Sequence, residues 1–395
     1  MNSFRIYGGK IVTPEAVIEN GTVTVDSGKI VDIGATALLR SGPDDIDVRG
    51  QWIFPGIVDS HSDAIETEIQ PRVRSLFPVE QAFRELERKL AGQGITTMYH
   101  ALGLADANAK SAVRNKDTIE EIVSAAHRLQ HEGALIRHRI HLRFEITKLE
   151  MVEFVERLLA DKHVHQLSFT DHTPGQGQFR NLALFRENAI RQQKIQEGEA
   201  EHYVSKQLDK EKVDASKLKE IADLAYRQGI PIASHDDDTM DKLNWVEQLH
   251  SRISEFPIEL SVAKEARRRG MYVAMGAPNL LLGHSTSNNL SAQDAIKEDA
   301  VDFLCSDYYP PSLLLAAFKL YRLGYDMSYA ANLVSLNPAK ALGIDQATGS
   351  LELGKAADIL VVDERNGHPF ITHTLVEGRC VSKLNDRLTV AQIEV

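Results

Sequence analysis

"FPGIVDSHSD", Phe54 to Asp63, starts as an apolar run and ends on a histidine and a carboxylate two residues apart. Ile57 and Val58 suit a buried strand, yet Asp59, His61 and Asp63 follow at alternate positions. Residues i and i+2 of a strand point to the same side. A strand that aims several polar groups one way, beyond a buried run, needs something to meet them. This reading makes Pro55–Asp63 the first strand of a larger repeat whose strand ends carry chemistry.

From Phe54 to about Leu342, short β-type runs alternate with longer helical stretches, the pattern of repeated βα units and a parallel sheet. Eight runs qualify as strands: "PGIVDSHSD", "GITTMYHAL", "RIHLRFEI", "HQLSFTDH", "GIPIASHDD", "SRISEFP", "MYVAMGAP" and "VDFLCSDYYP". His61 and Asp307 bracket roughly the ~250 residues of a complete (β/α)₈ barrel. The expected fold is therefore α/β, a barrel over residues 54–347. Both chain ends read differently. "FRIYGGKIVT", "GTVTVDSGKIVDIG", "GSLELGKAADILVVDERN" and "HPFITHTLVEGRCVS" alternate apolar and polar residues around glycine turns. They predict one small β-sandwich domain assembled from residues 1–53 and 348–395. A polar, helix-favouring insertion around 180–220 is longer than one barrel helix needs. It reads as a solvated surface hairpin or as a lid, since long loops at a barrel mouth often serve the site.

Composition bounds the function. The chain has 395 residues, 43% hydrophobic and 26% charged, as in ordinary soluble proteins. A net charge of −11 argues against a general nucleic-acid binder. Two cysteines, Cys305 and Cys380, build no disulfide framework and suit a reducing cytoplasm. "MNSFRIYGGKIVTPEAVIENG" lacks the apolar core of a signal peptide, and no run approaches the ~20 apolar residues of a membrane span. The expected partner is an anionic small molecule, with no nucleic acid or membrane, and the expected assembly is a homodimer.

In a barrel of this kind, strand C-terminal ends converge on the mouth where chemistry is done. Here they carry His61 and Asp63, Glu145, Asp171 and His172, His235 to Asp237, Glu255, and Asp307. Imidazole nitrogen and carboxylate oxygen are ligands for zinc and similar divalent ions, manganese or iron included. A cation also offsets the repulsion and desolvation of so many clustered charges. The expected ligands are His61, Asp63, Glu145, His172, His235 and Asp307, for one ion or for two bridged by Glu145. His172 has a second reading as a structural hydrogen-bonder, and Glu255 as a supporting group rather than a ligand. Asp237 and Asp238 are expected to cap the following helix. Divalent cations acidify water and so supply a nucleophile near neutral pH. Asp307 suits the general base and later proton donor.

These residues resemble the amidohydrolase superfamily. "FPGIVDSHSD" is similar to its first-strand metal motif; "NPAKALGI" and "GSLELGKAADILVVD" are similar to its return from barrel to small sheet. The chain departs from the usual His-x-His with His61-Ser62-Asp63, and it lacks the strand-four lysine of many two-metal members. "HSDAIETEIQPR", "HRIHLRFEI", "DHTPGQGQF", "ASHDDDT", "SEFP", "MGAPN" and "CSDYYPPSLL", in this order, resemble the phosphonate-catabolism hydrolases of that superfamily. That resemblance implies attack of water on the α-phosphorus of a ribose 5-triphosphate carrying a 1-methylphosphonate, with release of pyrophosphate.

The remaining polar residues lean the same way. Arg72, with Arg74 nearby, and Arg143 offer guanidinium forks suited to phosphate oxygens. Gln176, Gln178, Asn279, Ser285 and Ser287 are further candidate donors. Arg143 could equally be an ion-pair residue of the barrel, and "PGQGQF" a tight turn. No Gly-Lys-Ser/Thr follows either glycine-rich stretch, so neither is a P-loop. Two other readings stay open: a C–N hydrolase (deacetylase or deaminase), and a barrel that binds without catalysis.

Overall fold

Pro55 and Gly56 mark a change of sheet. The strand β5 (Trp52–Pro55) ends in one sheet, and β6 (Ile57–Ser62) begins another. A Cβ on Gly56 would lie 2.5 Å from Thr96 Oγ1 and 2.9 Å from Asp358 Cβ, so only glycine fits the junction. Its N–H donates to Asp358 O at 2.8 Å.

The computed structural model describes residues 3–35, 42–104, 112–193, 196–285 and 289–385. It divides into two compact units, one of Met1–His100, Ser124–Arg139 and Phe303–Val395, the other of Ala101–Val123 and Ile140–Asp302.

In the first unit the two chain ends share a sheet. Its strands are β1 (Phe4–Val12), β2 (Val17–Asp26), β3 (Lys29–Gly34), β4 (Ile46–Asp47) and β5, joined by three late strands beyond residue 358. The hydrogen-bonded path runs from those three through β5 and β1 to β2 and β3, with β4 beside β1. Period-2 alternation puts Ile6, Val23, Val25, Ile30, Ile53, Ile359, Val361 and Leu375 into one buried cluster. The terminal runs are strands because their β-branched residues fill this core.

The second sheet is an (α/β) barrel. Its strands follow β6 as β7 (Ile95–Gly103), β8 (Arg137–Glu145), β9 (Gln166–Thr170), β10 (Ile232–His235), β11 (Ser251–Glu255), β12 (Tyr272–Gly276) and β13 (Phe303–Cys305), in chain order. The late strands of the small sheet are then β14 (Ile359–Arg365), β15 (His368–Val376) and β16 (Arg379–Lys383). All eight runs singled out in the sequence are barrel strands. Just beyond the strands the ring closes: Asp63 N–H donates to Asp307 O at 2.7 Å, and Asp307 N–H to His61 O at 2.9 Å.

In the second unit the helices follow local rules. Asp214 accepts from Ser216 N–H at 2.8 Å and caps the helix Ala215–Arg227, whose Leu218, Ile221, Ala222 and Ala225 face inward. The insertion forms two helices, Leu182–Gln193 and Ala200–Leu208. It is pinned at its C-terminal root by Val213 N–H to Ile146 O at 2.8 Å. At its N-terminal root Gly177 N–H donates to Asp238 Oδ2 at 2.7 Å.

In the first unit the helix Val79–Gly92 buries Phe83, Leu86 and Leu90, and with them a carboxylate, Glu87. Glu87 accepts from Leu135 N–H at 2.9 Å and lies 3.5 Å from His138 Nε2. His138 Nδ1 is hydrogen-bonded to His100 Nε2 at 2.9 Å, their rings stack, and Phe83 packs edge-on against both. Burial, and then the neighbouring His138, push the His100 imidazole well below its usual value. The folded chain therefore refuses a proton that the unfolded chain accepts once pH drops below about 6.5, so this group favours folding above that pH and less below it. Denaturant unfolding is expected to lose up to ~1.4 kcal/mol per pH unit through this group on going from pH 6.5 to 5. His100→Gln should flatten that slope, and equal slopes in the two proteins would show that His100 does not titrate this way.

Candidate active site

Each unit carries part of the polar set at the strand ends. In the first, β6 is buried along its whole length, with Asp59 and His61 fully inaccessible. Asp59 Oδ1 accepts from Ser306 N–H at 3.0 Å, and Ser306 Oγ lies 3.0 Å from Ser62 Oγ. Burial pushes the Asp59 carboxyl up to about 7 despite the hydrogen bonds from Ser306 and His61. Asp63 Oδ1 stands 4.0 Å from His61 Nε2, and the paired backbones place Asp307 beside both. His61, Asp63 and Asp307 are thus brought together by the closure of β13 on β6.

In the second unit Glu145 ends β8 and His172 follows β9. Glu145 Oε2 lies 2.5 Å from His172 Nδ1 and accepts from Thr170 Oγ1 at 3.2 Å. His172 N–H adds a bond to Oε1 at 3.2 Å. Burial alone would raise the Glu145 carboxyl, but His172 outweighs it and holds it below the usual range. At the end of β10, His235 Nδ1 is 2.8 Å from Asp236 Oδ2. Burial opposes ionisation of Asp236, and the charges of His235, His172 and Lys242 prevail, lowering its pKa. His172, His235 and Asp236 each present a ligand atom within 4.8 Å of the others. Two imidazoles and a carboxylate at that spacing fit a divalent ion with mixed nitrogen and oxygen ligation.

Supporting groups surround this cluster. Glu255 pairs in register with His235, is fully buried, accepts from Gln166 Nε2 at 3.2 Å and lies 3.8 Å from His141 Nε2. Lys242 Nζ donates to His235 O at 2.7 Å and Asp236 O at 3.1 Å, so it fixes the backbone that carries both side chains. The helix-cap expectation for Asp237 and Asp238 is corrected here. Thr239 caps the helix Met240–Gln248. Asp237 is buried and accepts from Ser234 and Ser254 hydroxyls at 2.5 Å each, while Asp238 takes the Gly177 N–H.

Strain accompanies the site. Asp236, Phe256 and Asp307 have φ of 55°, 56° and 56°, left-handed values costing about 1 kcal/mol or more each for such residues. In each case the N–H reaches an adjacent strand, Glu255 O, Ala274 O or His61 O, at 2.9 Å. These bonds hold the turns that leave His235, Glu255 and Ser306 at the strand ends.

The candidate anion binders scatter more. Arg72 is exposed on the loop after Ile69, bridged to Ser75. Arg143 is half-buried on β8, two residues before Glu145 and in register with Ser168. Gln176 lines a cavity described below, and Gln178 lies in the short turn Gly177–Phe179. The Asn279 amide is spent on structure: it donates to Leu290 O at 3.2 Å and accepts from Ala292 N–H at 3.0 Å. Ser285 is half-buried, and Ser287 lies outside the described residues. The sequence placed Asp236 among the strand-end groups but not among the expected ligands, and Lys212 and Lys242 drew no notice. Nothing local signals that the third residue of the helix Met240–Gln248 will hold two strand-end carbonyls.

Fold and site together define a parallel barrel with imidazole and carboxylate groups at its strand ends. The amidohydrolase family model matches residues 52–384, and the chain belongs to that family. It is 32% identical over 378 residues to the alpha-D-ribose 1-methylphosphonate 5-triphosphate diphosphatase of Escherichia coli K12, covering 94% of this chain and 98% of that protein. A 5'-deoxyadenosine deaminase of Methanosarcina barkeri is 23% identical, covering 90% and 82%. Among solved structures, molinate hydrolase superposes with a TM-score of 0.67 at 14% identity, covering 96% of this chain and 94% of the other.

Two substitutions probe the cluster. His235→Ala should lower bound divalent metal, measured by elemental analysis, while circular dichroism stays native. Glu145→Gln, which weakens the hold on His172, should cost about 10–100-fold in metal affinity. Full metal content at normal affinity in both variants would remove His172, His235 and Asp236 as a metal cluster.

Proposed function

We propose that this protein is a divalent-metal-dependent hydrolase that cleaves the 5-triphosphate of α-D-ribose 1-methylphosphonate, releasing pyrophosphate and leaving the 5-phosphate. The carrying observation is the His172–His235–Asp236 cluster with Glu145 locked to His172, in a chain that matches the Escherichia coli diphosphatase along almost its whole length. A divalent ion bound there supplies Lewis-acid chemistry to water and to a phosphoryl oxygen.

The chain's own groups do the rest. His172, His235 and Asp236 are the core ligands in this reading, Glu145 orients His172, and His61 and Asp63 keep the ligand roles suggested by their sequence. Asp307, held at a left-handed backbone position, takes the proton from the attacking water. The water oxygen bonds to the α-phosphorus, the bond from that phosphorus to the bridging oxygen breaks, and the electron pair leaves with pyrophosphate. Asp307 then returns its proton. Lys242 keeps the His235–Asp236 backbone fixed during turnover. The likeness to deaminases favours C–N hydrolysis as the competing chemistry.

With purified metal-loaded protein, the ribose phosphonate triphosphate should yield one pyrophosphate per turnover, and no ammonia should appear from 5'-deoxyadenosine. In ¹⁸O-water the label should enter the sugar 5-phosphate and not the pyrophosphate. Label in pyrophosphate would place the attack at another phosphorus, and ammonia release without pyrophosphate would replace this reading with the competing one. Asp307→Asn should lower turnover by roughly 10²–10⁴-fold with metal retained. Near-normal turnover would exclude Asp307 as the base.

A further inference from the structure

A cavity of about 520 Å³ in the second unit is lined in part by residues that adjoin the cluster. Asp171, which lines it, precedes His172 in the chain, and Lys242, also in the lining, is bonded to His235 O and Asp236 O. Its volume falls in the ~300–1,000 Å³ range of small-molecule sites and is too large for a lone phosphate. Trp245 and Leu218 supply apolar wall, while Lys212, Gln176, Asp171 and Asp238 supply polar groups.

Charge decides which part of a substrate this cavity suits. Two lysines face two aspartates, so a triphosphate tail would bring several negative charges against Asp171 and Asp238. Lys212 Nζ gives one bond to Asp171 Oδ2 at 2.7 Å. An ammonium carries three donors, so the group can also serve one more anion. An uncharged sugar with one anionic substituent matches the mixture better. Hydroxyls donate to the carboxylates, and a single anion meets Lys212. A methyl group and the sugar C–H face cover the indole.

We propose, resting on the function argued above, that this cavity binds the ribosyl methylphosphonate end of the substrate and sets specificity for it. Lys212 meets a phosphonate oxygen, Trp245 and Leu218 pack on the P-methyl group and the ring, and Asp238 and Gln176 bind hydroxyls.

The test compares two substrates, the ribose 1-methylphosphonate 5-triphosphate and ribose 5-triphosphate lacking the phosphonate, on the metal-loaded enzyme. Lys212→Met and Trp245→Ala should each lower the ratio of their kcat/KM values at least tenfold, and Lys212→Arg should restore most of it. Equal losses on both substrates, or no loss on either, would overturn the proposal. A second readout needs no turnover. Trp52 and Trp245 are the two tryptophans of the chain. In a Trp52→Phe background, ribose 1-methylphosphonate should change the fluorescence of Trp245 saturably, and Lys212→Met should weaken that binding at least tenfold. Binding unaffected by Lys212→Met, or pyrophosphate producing the same change, would also overturn it. Should the protein hydrolyse neither triphosphate, the proposed reaction fails while the fluorescence titration still decides what the cavity binds.

Discussion

A buried carboxylate is tolerated only where hydrogen-bond donors or positive charge meet it, and this chain places one at the end of strand after strand. The local solutions differ. Asp59 receives the Ser306 amide and is still pushed towards its neutral form by burial. Asp237 is satisfied by two serine hydroxyls and also has a raised pKa. Glu145 and Asp236 instead meet imidazoles and stay ionised. Asp236 offers its ligand atom to the cluster and Glu145 holds His172 in place, while Asp59 and Asp237, without an imidazole partner, act as scaffold.

The same economy explains the backbone. Left-handed residues at Asp236, Phe256 and Asp307 cost free energy and survive because each N–H is used by a neighbouring strand. Lys242 adds a side-chain clamp to one of these turns. Strand-end residues are therefore positioned by rigid ladder bonds, as required of a site that must hold ligand atoms to within fractions of an ångström. The second histidine pair, His100 and His138, is a contrast. Packed under Phe83 and next to Glu87, it lies in a hydrophobic layer below a helix and bears on stability.

Much of the architecture was legible. All eight barrel strands, the two terminal β regions and the helical insertion could be read because their apolar periodicity is local and strong. His61, Glu145, His172 and His235 stood out because a polar residue closing an apolar strand is conspicuous. Asp237 was misread: an acid before a helix usually caps it, yet here two serines from β10 and β11 capture it first. Asn279 looked like a free donor and turned out to tie its helix to the chain at Leu290 and Ala292.

By itself, the sequence determined the order of strands and helices and the polar character of the strand ends, since these depend on spacing within short segments. Which of those polar groups touch was decided by tertiary structure alone. The pairing of Glu145 with His172, the approach of Asp236 to His172 and the walls of the nearby cavity join residues tens of positions apart. Such contacts follow from strand register and backbone turns, which no local pattern encodes.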